Sequence, residues 1–191
     1  MEKKIVYRIA TIADYDREAL YLRKMHSEGW KLRKVSYSIL LFAVKYTFEK
    51  GHPEQVSYQL DFYPMRKSDR ASYLQLFKDC GWEHITDFNS FSYFRKAYSE
   101  IESDAEFEIY NDAAGKLDMV NRILSLRLVP VLLLLAIHIP LLLKLLNRSN
   151  TFDLWKFLAV GLDIFLSLII LLIVSYIGWK LWHEKKKLSD L

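Results

Sequence analysis

The stretch Tyr21-Leu22-Arg23-Lys24-Met25-His26-Ser27-Glu28-Gly29-Trp30 decides the fold, because its frame occurs twice. Tyr73-Leu74, six residues and Gly81-Trp82 reproduce it at an offset of 52, and Ala19 and Ala71 match at the same spacing. After a six-residue deletion the correspondence resumes at Phe48-Glu49-Lys50 and Phe94-Arg95-Lys96. Self-similarity at a fixed period marks a duplicated unit.

Each copy reads as strand, helix, strand, strand. The first strands are Lys4–Ile9 and Gln55–Tyr63, and in the second of these Val56, Tyr58, Leu60 and Phe62 alternate onto one face. Asp16 or Ser68 offers an oxygen to cap the following helix. The helices bury Ala19, Leu22 and Met25 in copy one and Ala71, Leu74 and Phe77 in copy two. Gly29 and Gly81 stand where a helix ends in a left-handed residue, which Gly adopts without a Cβ clash. Trp30 and Trp82 start the next strand, as core anchors or as rings for a ligand to stack on. The hairpins that follow are Lys31–Tyr37 with Leu41–Lys50, and Glu83–Asp87 with Phe91–Ala97. The expected fold is α+β: a duplicated β-α-β-β antiparallel sheet of about six strands with two helices on one face.

Downstream the composition changes. Residues 1–125 hold 19 basic and 19 acidic residues, so the net charge of +4 lies entirely in residues 126–191, with 8 basic and 4 acidic. A neutral domain gives no basic face for counterion release, so no direct nucleic-acid binding is expected. Disorder is excluded by 52% hydrophobic residues, and a disulfide scaffold by the single Cys80.

Leu128–Leu146 carries one charge, Lys144, and 19 residues at ~1.5 Å reach roughly 28 Å, the thickness of a hydrocarbon core. Phe157–Trp179 carries only Asp163. Both read as membrane spans, so a lipid bilayer is the first expected partner. Pro130 falls in the first turn of span one, where its missing N–H costs little, and Pro140 should kink it. Trp155, Tyr176, Trp179 and Trp182 stand near span ends, where amphipathic rings prefer the interface. Lys116, Arg122, Arg127, Lys180, Lys185, Lys186 and Lys187 flank the hairpin on its terminal sides, against Lys144, Arg148 and Lys156 between the spans. The positive-inside rule then puts both termini in the cytoplasm of a multi-pass cell-membrane protein. Met1–Ala10 shows no signal peptide.

The organisation expected is a cytoplasmic domain over 1–98, an acidic connector and juxtamembrane helix over 99–126, and spans over 127–147 and 157–182. An external loop, 148–156, joins the spans, and a basic tail, 183–191, follows. The connector holds Glu100, Glu102, Asp104, Glu106, Glu108 and Asp112; it is a solvated linker or a docking segment for a basic partner.

These motifs resemble the domain of unknown function 2812. The resemblance rests on Gly29-Trp30, the Tyr46–Lys50 strand, Tyr58-Gln59-Leu60-Asp61, Tyr73-Leu74 to Gly81-Trp82-Glu83, Tyr93-Phe94-Arg95-Lys96, and Ile109-Tyr110-Asn111-Asp112. It covers about residues 3–112. It implies a bacterial, mainly Gram-positive protein, often with C-terminal spans and encoded beside PadR-type regulators, and it brings no catalytic residues.

Chemistry-bearing patterns are sparse. His26, His52, His84, His138 and His183 form no pair with metal-ligand spacing, and the six Gly make no phosphate loop. No cofactor, metal or enzymatic activity is expected. His138 and Asp163 fall at depths of about 12 Å and 9 Å from the loop side of an antiparallel hairpin. An ionisable group in hydrocarbon faces a partner or cavity, so the two are expected to meet, locking the hairpin or facing another subunit of a homo-oligomer. Such a pair could respond to pH.

The first functional reading is a non-enzymatic, membrane-anchored regulatory or adaptor protein whose cytoplasmic domain binds a protein partner. The rivals are a membrane-tethered sensor, with Trp30 and Trp82 lining a cleft for an apolar or cationic ligand, and an accessory subunit of a transporter. An exposed apolar sheet face would favour the module; a deep enclosed pocket would favour the sensor.

Overall fold

The structure, a computed structural model, describes residues 2–38, 43–64, 68–101, 109–110, 113–147 and 154–189. Outside these lie Leu41 and Phe42 of the expected strand, connector residues 102–108, Asn111-Asp112, and loop residues 148–153. The chain divides into two compact units, residues 1–119 and 120–191.

The first unit runs β1 (Lys3–Arg8), α1 (Tyr15–Ser27), β2 (Trp30–Tyr37), β3 (Val44–Lys50), β4 (Val56–Phe62), α2 (Arg70–Asp79), β5 (Glu83–Phe88) and β6 (Phe91–Ala97). The order β-α-β-β therefore occurs twice, and the fold is α+β. The strands form two antiparallel three-stranded sheets, β1-β3-β2 and β4-β6-β5, instead of one sheet of about six. Each sheet places the last strand of its hairpin at the centre. The physical reason for the split lies in β2 and β5. Each carries a register shift, at Leu32/Lys34 and at His84/Thr86, positions again 52 apart. A bulge leaves a residue unpaired and twists the strand, which spoils it as a template for another strand. Between these two strands the contact is made by side chains, Tyr37 and Phe88 with ring centroids 4.7 Å apart.

Each helix lies on a face of its own sheet. Tyr21 of α1 meets Phe48 edge-on at 6.2 Å, and Tyr73 of α2 meets Phe94 at 5.9 Å. Helix α1 also packs on the second sheet, where Tyr15 stacks on Phe91 at 6.4 Å. Phe91 and Tyr93 alternate with Ser92 and Phe94, so α1 and α2 cover opposite faces of that sheet. Hence β4 and β6 are buried on both faces while the outer face of the first sheet is open. The core is Leu22, Leu32, Tyr46, Phe48, Tyr58, Phe62, Tyr93 and Phe94. Ala71, expected in the core, is exposed, and Leu74 and Phe77 are only half-buried, because among the described residues α2 is covered on its sheet side alone.

The caps differ in detail from expectation. Asp14 and Asp69, not Asp16 or Ser68, precede the helices, and neither caps through its side chain. Asp14 instead accepts from Thr11 Oγ1, at 2.5 Å. The C-termini are as the sequence indicates: Gly29 and Gly81 have φ of 84° and 80°. After α2 the Trp82 N–H reaches Phe77 O and the Gly81 N–H reaches Lys78 O, the paired bonds of a Schellman motif.

Helix α3 (Ala113–Ile123), which begins in the first unit and ends in the second, a π-helical turn (Leu124–Leu128) and α4 (Val129–Asn147) form one continuous helix. Pro130 falls in the first turn of α4, directly after the π-helical turn, whose wider backbone eases the clash a proline ring makes with the preceding turn. Pro140 lies inside α4. Helix α5 (Leu154–Ser189) has 36 residues, roughly 54 Å, so residues 183–189 of the basic tail are helical too. Helices α4 and α5 pack antiparallel: His138 lies beside Asp163, and Leu128 Cδ2 would be 3.3 Å from a Cβ at Gly178. The helices over 113–144 and 157–189 are each long and apolar enough to cross a membrane, and only 6% of an 18-residue apolar stretch in each is buried.

Candidate functional site

Two buried polar clusters sit where α1 meets the sheets. Glu18 is 9% exposed, and its Oε1 accepts from Tyr46 Oη at 2.8 Å and from Tyr93 Oη at 2.7 Å. Tyr46 belongs to the first sheet and Tyr93 to the second, so one carboxylate fastens both to α1. Burial raises the Glu18 pKa, against the lowering effect of the two hydroxyls and the Arg8 charge. The same burial and the Glu18 charge push both tyrosines up, so they remain donors at any working pH.

Two turns along α1, His26 is fully buried, with Nδ1 3.0 Å from Tyr58 Oη. Arg95 bonds to the Tyr58 side chain, and its Nε reaches Glu83 at 3.0 Å. Tyr58 thus links Arg95 to His26 through its hydroxyl. His26 Nε2 is 3.7 Å from Glu54 Oε2. Burial, then the charges of Arg95 and Lys31, hold the His26 pKa down at about 4, so the ring is neutral at pH 7.

A third cluster lies on the α2 face. Asp61, 2% exposed, accepts from Tyr73 Oη at 2.6 Å and from Tyr110 Oη. Tyr110 belongs to the connector, so this carboxylate ties the connector to the second sheet. Three of the sequence motifs quoted above thus converge on one group. At the surface, Asp87 is a hub for Arg70, for His84 at 3.0 Å and for Ser92 at 2.8 Å. The aspartate, not the histidine, receives the Ser92 hydroxyl, so the Ser–His–Asp order of a nucleophilic triad is not met. Burial would raise the Asp87 pKa, but hydrogen bonds from His84 and Ser92 and the charges of His84 and Arg70 lower it. Among the described residues no group of His, Cys, Asp and Glu is placed to hold a metal.

The two tryptophans part company. Trp82 is 4% exposed and lines an open groove of about 350 Å³ with Leu74, Lys78, Gly81, Glu83 and His84. Trp30 is half-buried, with Lys4 Nζ 5.1 Å and Lys50 Nζ 4.5 Å from its ring centroid. The chain's own cations thus lie over Trp30, and the groove beside Trp82 is not lined by it. His138 and Asp163 are brought together, with Nε2 3.1 Å from Oδ2 and side chains 43% and 39% exposed in the seam between α4 and α5.

The sequence reading named none of Glu18, His26, Asp61, Tyr46, Tyr93 or Tyr110 as a site. The available signal was charge inside an amphipathic pattern: Glu18 precedes Ala19, and Asp61 falls between Leu60 and Phe62. No curated protein and no solved structure matches the chain. Residues 14–132 match the family described as Protein of unknown function (DUF2812), and that stretch, running from the start of α1 into α4, includes Glu18, His26, Asp61 and Tyr110. A match over more than half the chain makes this protein a member of the DUF2812 family.

Proposed function

We propose that the protein is a non-enzymatic, membrane-anchored adaptor or regulatory protein whose α+β domain lies in the cytoplasm and binds a protein partner. The observation that carries it is the pair of helices long and apolar enough to cross a membrane, each with an 18-residue apolar stretch that the chain itself buries by only 6%. A bilayer suits an apolar helix face that the rest of the chain leaves uncovered. The excess of Lys and Arg on the terminal sides supports cytoplasmic termini. The polar clusters of the domain hold helix, sheets and connector together. The family resemblance makes a PadR-type regulator the first partner to test.

Crosslinking in intact cells, followed by affinity capture of the full chain and mass spectrometry, tests this reading. A stoichiometric protein captured with the full chain supports it. Recovery of no specific protein overturns it. The groove beside Trp82 keeps ligand sensing as a second reading, tested by ligand-induced stabilisation that Trp82→Ala removes.

A further inference from the structure

We infer that the outer face of the first sheet docks on an anionic lipid surface. The domain is neutral as a whole, but its strands divide the charge unevenly. Strands β1, β2 and β3 carry eight Lys and Arg against one Glu, whereas β4, β5 and β6 carry two against three acids. Neutrality over the whole length conceals one basic sheet.

The register sorts these charges. Lys3, Ile5 and Tyr7 pair with Glu49, Thr47 and Lys45, which alternate with the buried Tyr46 and Phe48, so all six point outward. Across β3, Lys34 pairs with the same Thr47. Some of the charge is used internally: Arg33 bonds to Glu49 at 2.7 Å and Lys31 to Glu54 at 3.0 Å, while Lys4 and Lys50 approach Trp30. Lys3, Lys34 and Lys45 have no ion-pair partner among the described residues. They surround Ile5 and Tyr7, and Ile9, 80% exposed, follows β1.

Lysines reach lipid phosphates, while Tyr and Ile settle at the boundary between headgroups and acyl chains. A nucleic acid would use the lysines but would have no use for two exposed isoleucines. The inference rests on the membrane anchoring proposed above, which confines the chain to a bilayer.

The test uses the full chain in nanodiscs of phosphatidylcholine, with or without phosphatidylglycerol, plus a trace of lipid carrying nickel on its headgroup. In a Cys80→Ser background a nitroxide is attached at Ile5→Cys or, as a reference, at exposed Leu76→Cys on α2. Nickel should relax the Ile5 label more than the Leu76 label only when phosphatidylglycerol is present. Each lysine among Lys3, Lys34 and Lys45 changed to Gln should lower the docked-to-free ratio about fivefold, and the triple Glu variant should abolish the difference. Equal relaxation at both labels, or indifference to phosphatidylglycerol, overturns the inference while leaving the anchor intact. Tight binding of a fluorescent oligonucleotide that the triple variant loses overturns it in favour of nucleic acid. A chain that stays outside the nanodiscs overturns the anchoring and the inference together.

Discussion

Glu18 shows how much of this domain hangs on single groups. Its carboxylate is acceptor to two buried hydroxyls from different sheets. Glu18→Ala leaves both without an acceptor and should cost about 2–5 kcal/mol. Tyr46→Phe or Tyr93→Phe removes one donor and should cost about 1–2 kcal/mol. Urea unfolding of the full chain in micelles, followed by Trp fluorescence, measures both. His26 gives a pH signature. Its pKa is about 4 when folded and 6.5 when free, so below pH 6.5 the unfolded chain binds a proton that the folded one refuses. The stability due to a neutral His26 is complete above pH 6.5 and is lost as pH falls towards 4, by up to about 3 kcal/mol. Glu18 acts in the opposite sense, because its raised pKa favours the folded state as acid is added. Unfolding at pH 7.5 and 5.0 should show the loss in the native chain and a flatter response in His26→Gln.

The elements end and turn through backbone conformations that few residues tolerate. Gly29 and Gly81 share a positive φ but not a neighbourhood. A Cβ at Gly29 would lie 2.9 Å from the Gly51 backbone oxygen, whereas at Gly81 the nearest atom is the flexible end of Lys96, at 3.2 Å. Gly29→Ala should therefore cost clearly more than Gly81→Ala, for which left-handed strain alone predicts about 1–2 kcal/mol. The β5–β6 hairpin turns through Asn89 and Ser90, with φ of 52° and 68°. Both central residues of such a turn favour Asn or Gly, so Ser90→Gly should stabilise the domain by roughly 0.5–1 kcal/mol. The same unfolding assay decides these.

At the scale of the whole molecule, a neutral, aromatic-rich domain is joined to two helices long and apolar enough to cross a membrane. The protein should stay in the membrane fraction through alkaline carbonate extraction, and release by carbonate would refute the spans. Asp163→Leu removes the acceptor of His138 in the seam of α4 and α5. The hairpin should then loosen, seen as a lower melting temperature of helical circular dichroism in micelles, and His138→Leu combined with it should recover part of the loss. That recovery is expected because leaving one polar group unpaired in hydrocarbon is worse than removing both.

The sequence by itself determined the alternation of strand and helix, the second β-α-β-β unit, the left-handed glycines and the two long apolar helices. Each is a local matter: pleat alternation, the absence of a Cβ, or a run of apolar residues long enough for a bilayer. The register shifts at Leu32/Lys34 of β2 and His84/Thr86 of β5 lay beyond the sequence pattern. Only the tertiary structure decided that the six strands form two sheets, that α1 touches both while α2 is left half-uncovered, and that Trp82 is buried where Trp30 is flanked by lysines. Only it gathered Glu18 with Tyr46 and Tyr93, residues 28 and 75 positions away. These outcomes depend on which surfaces meet after the chain collapses. An amphipathic pattern states that a face is buried but not against what, and a net charge of zero does not say on which sheet the lysines stand.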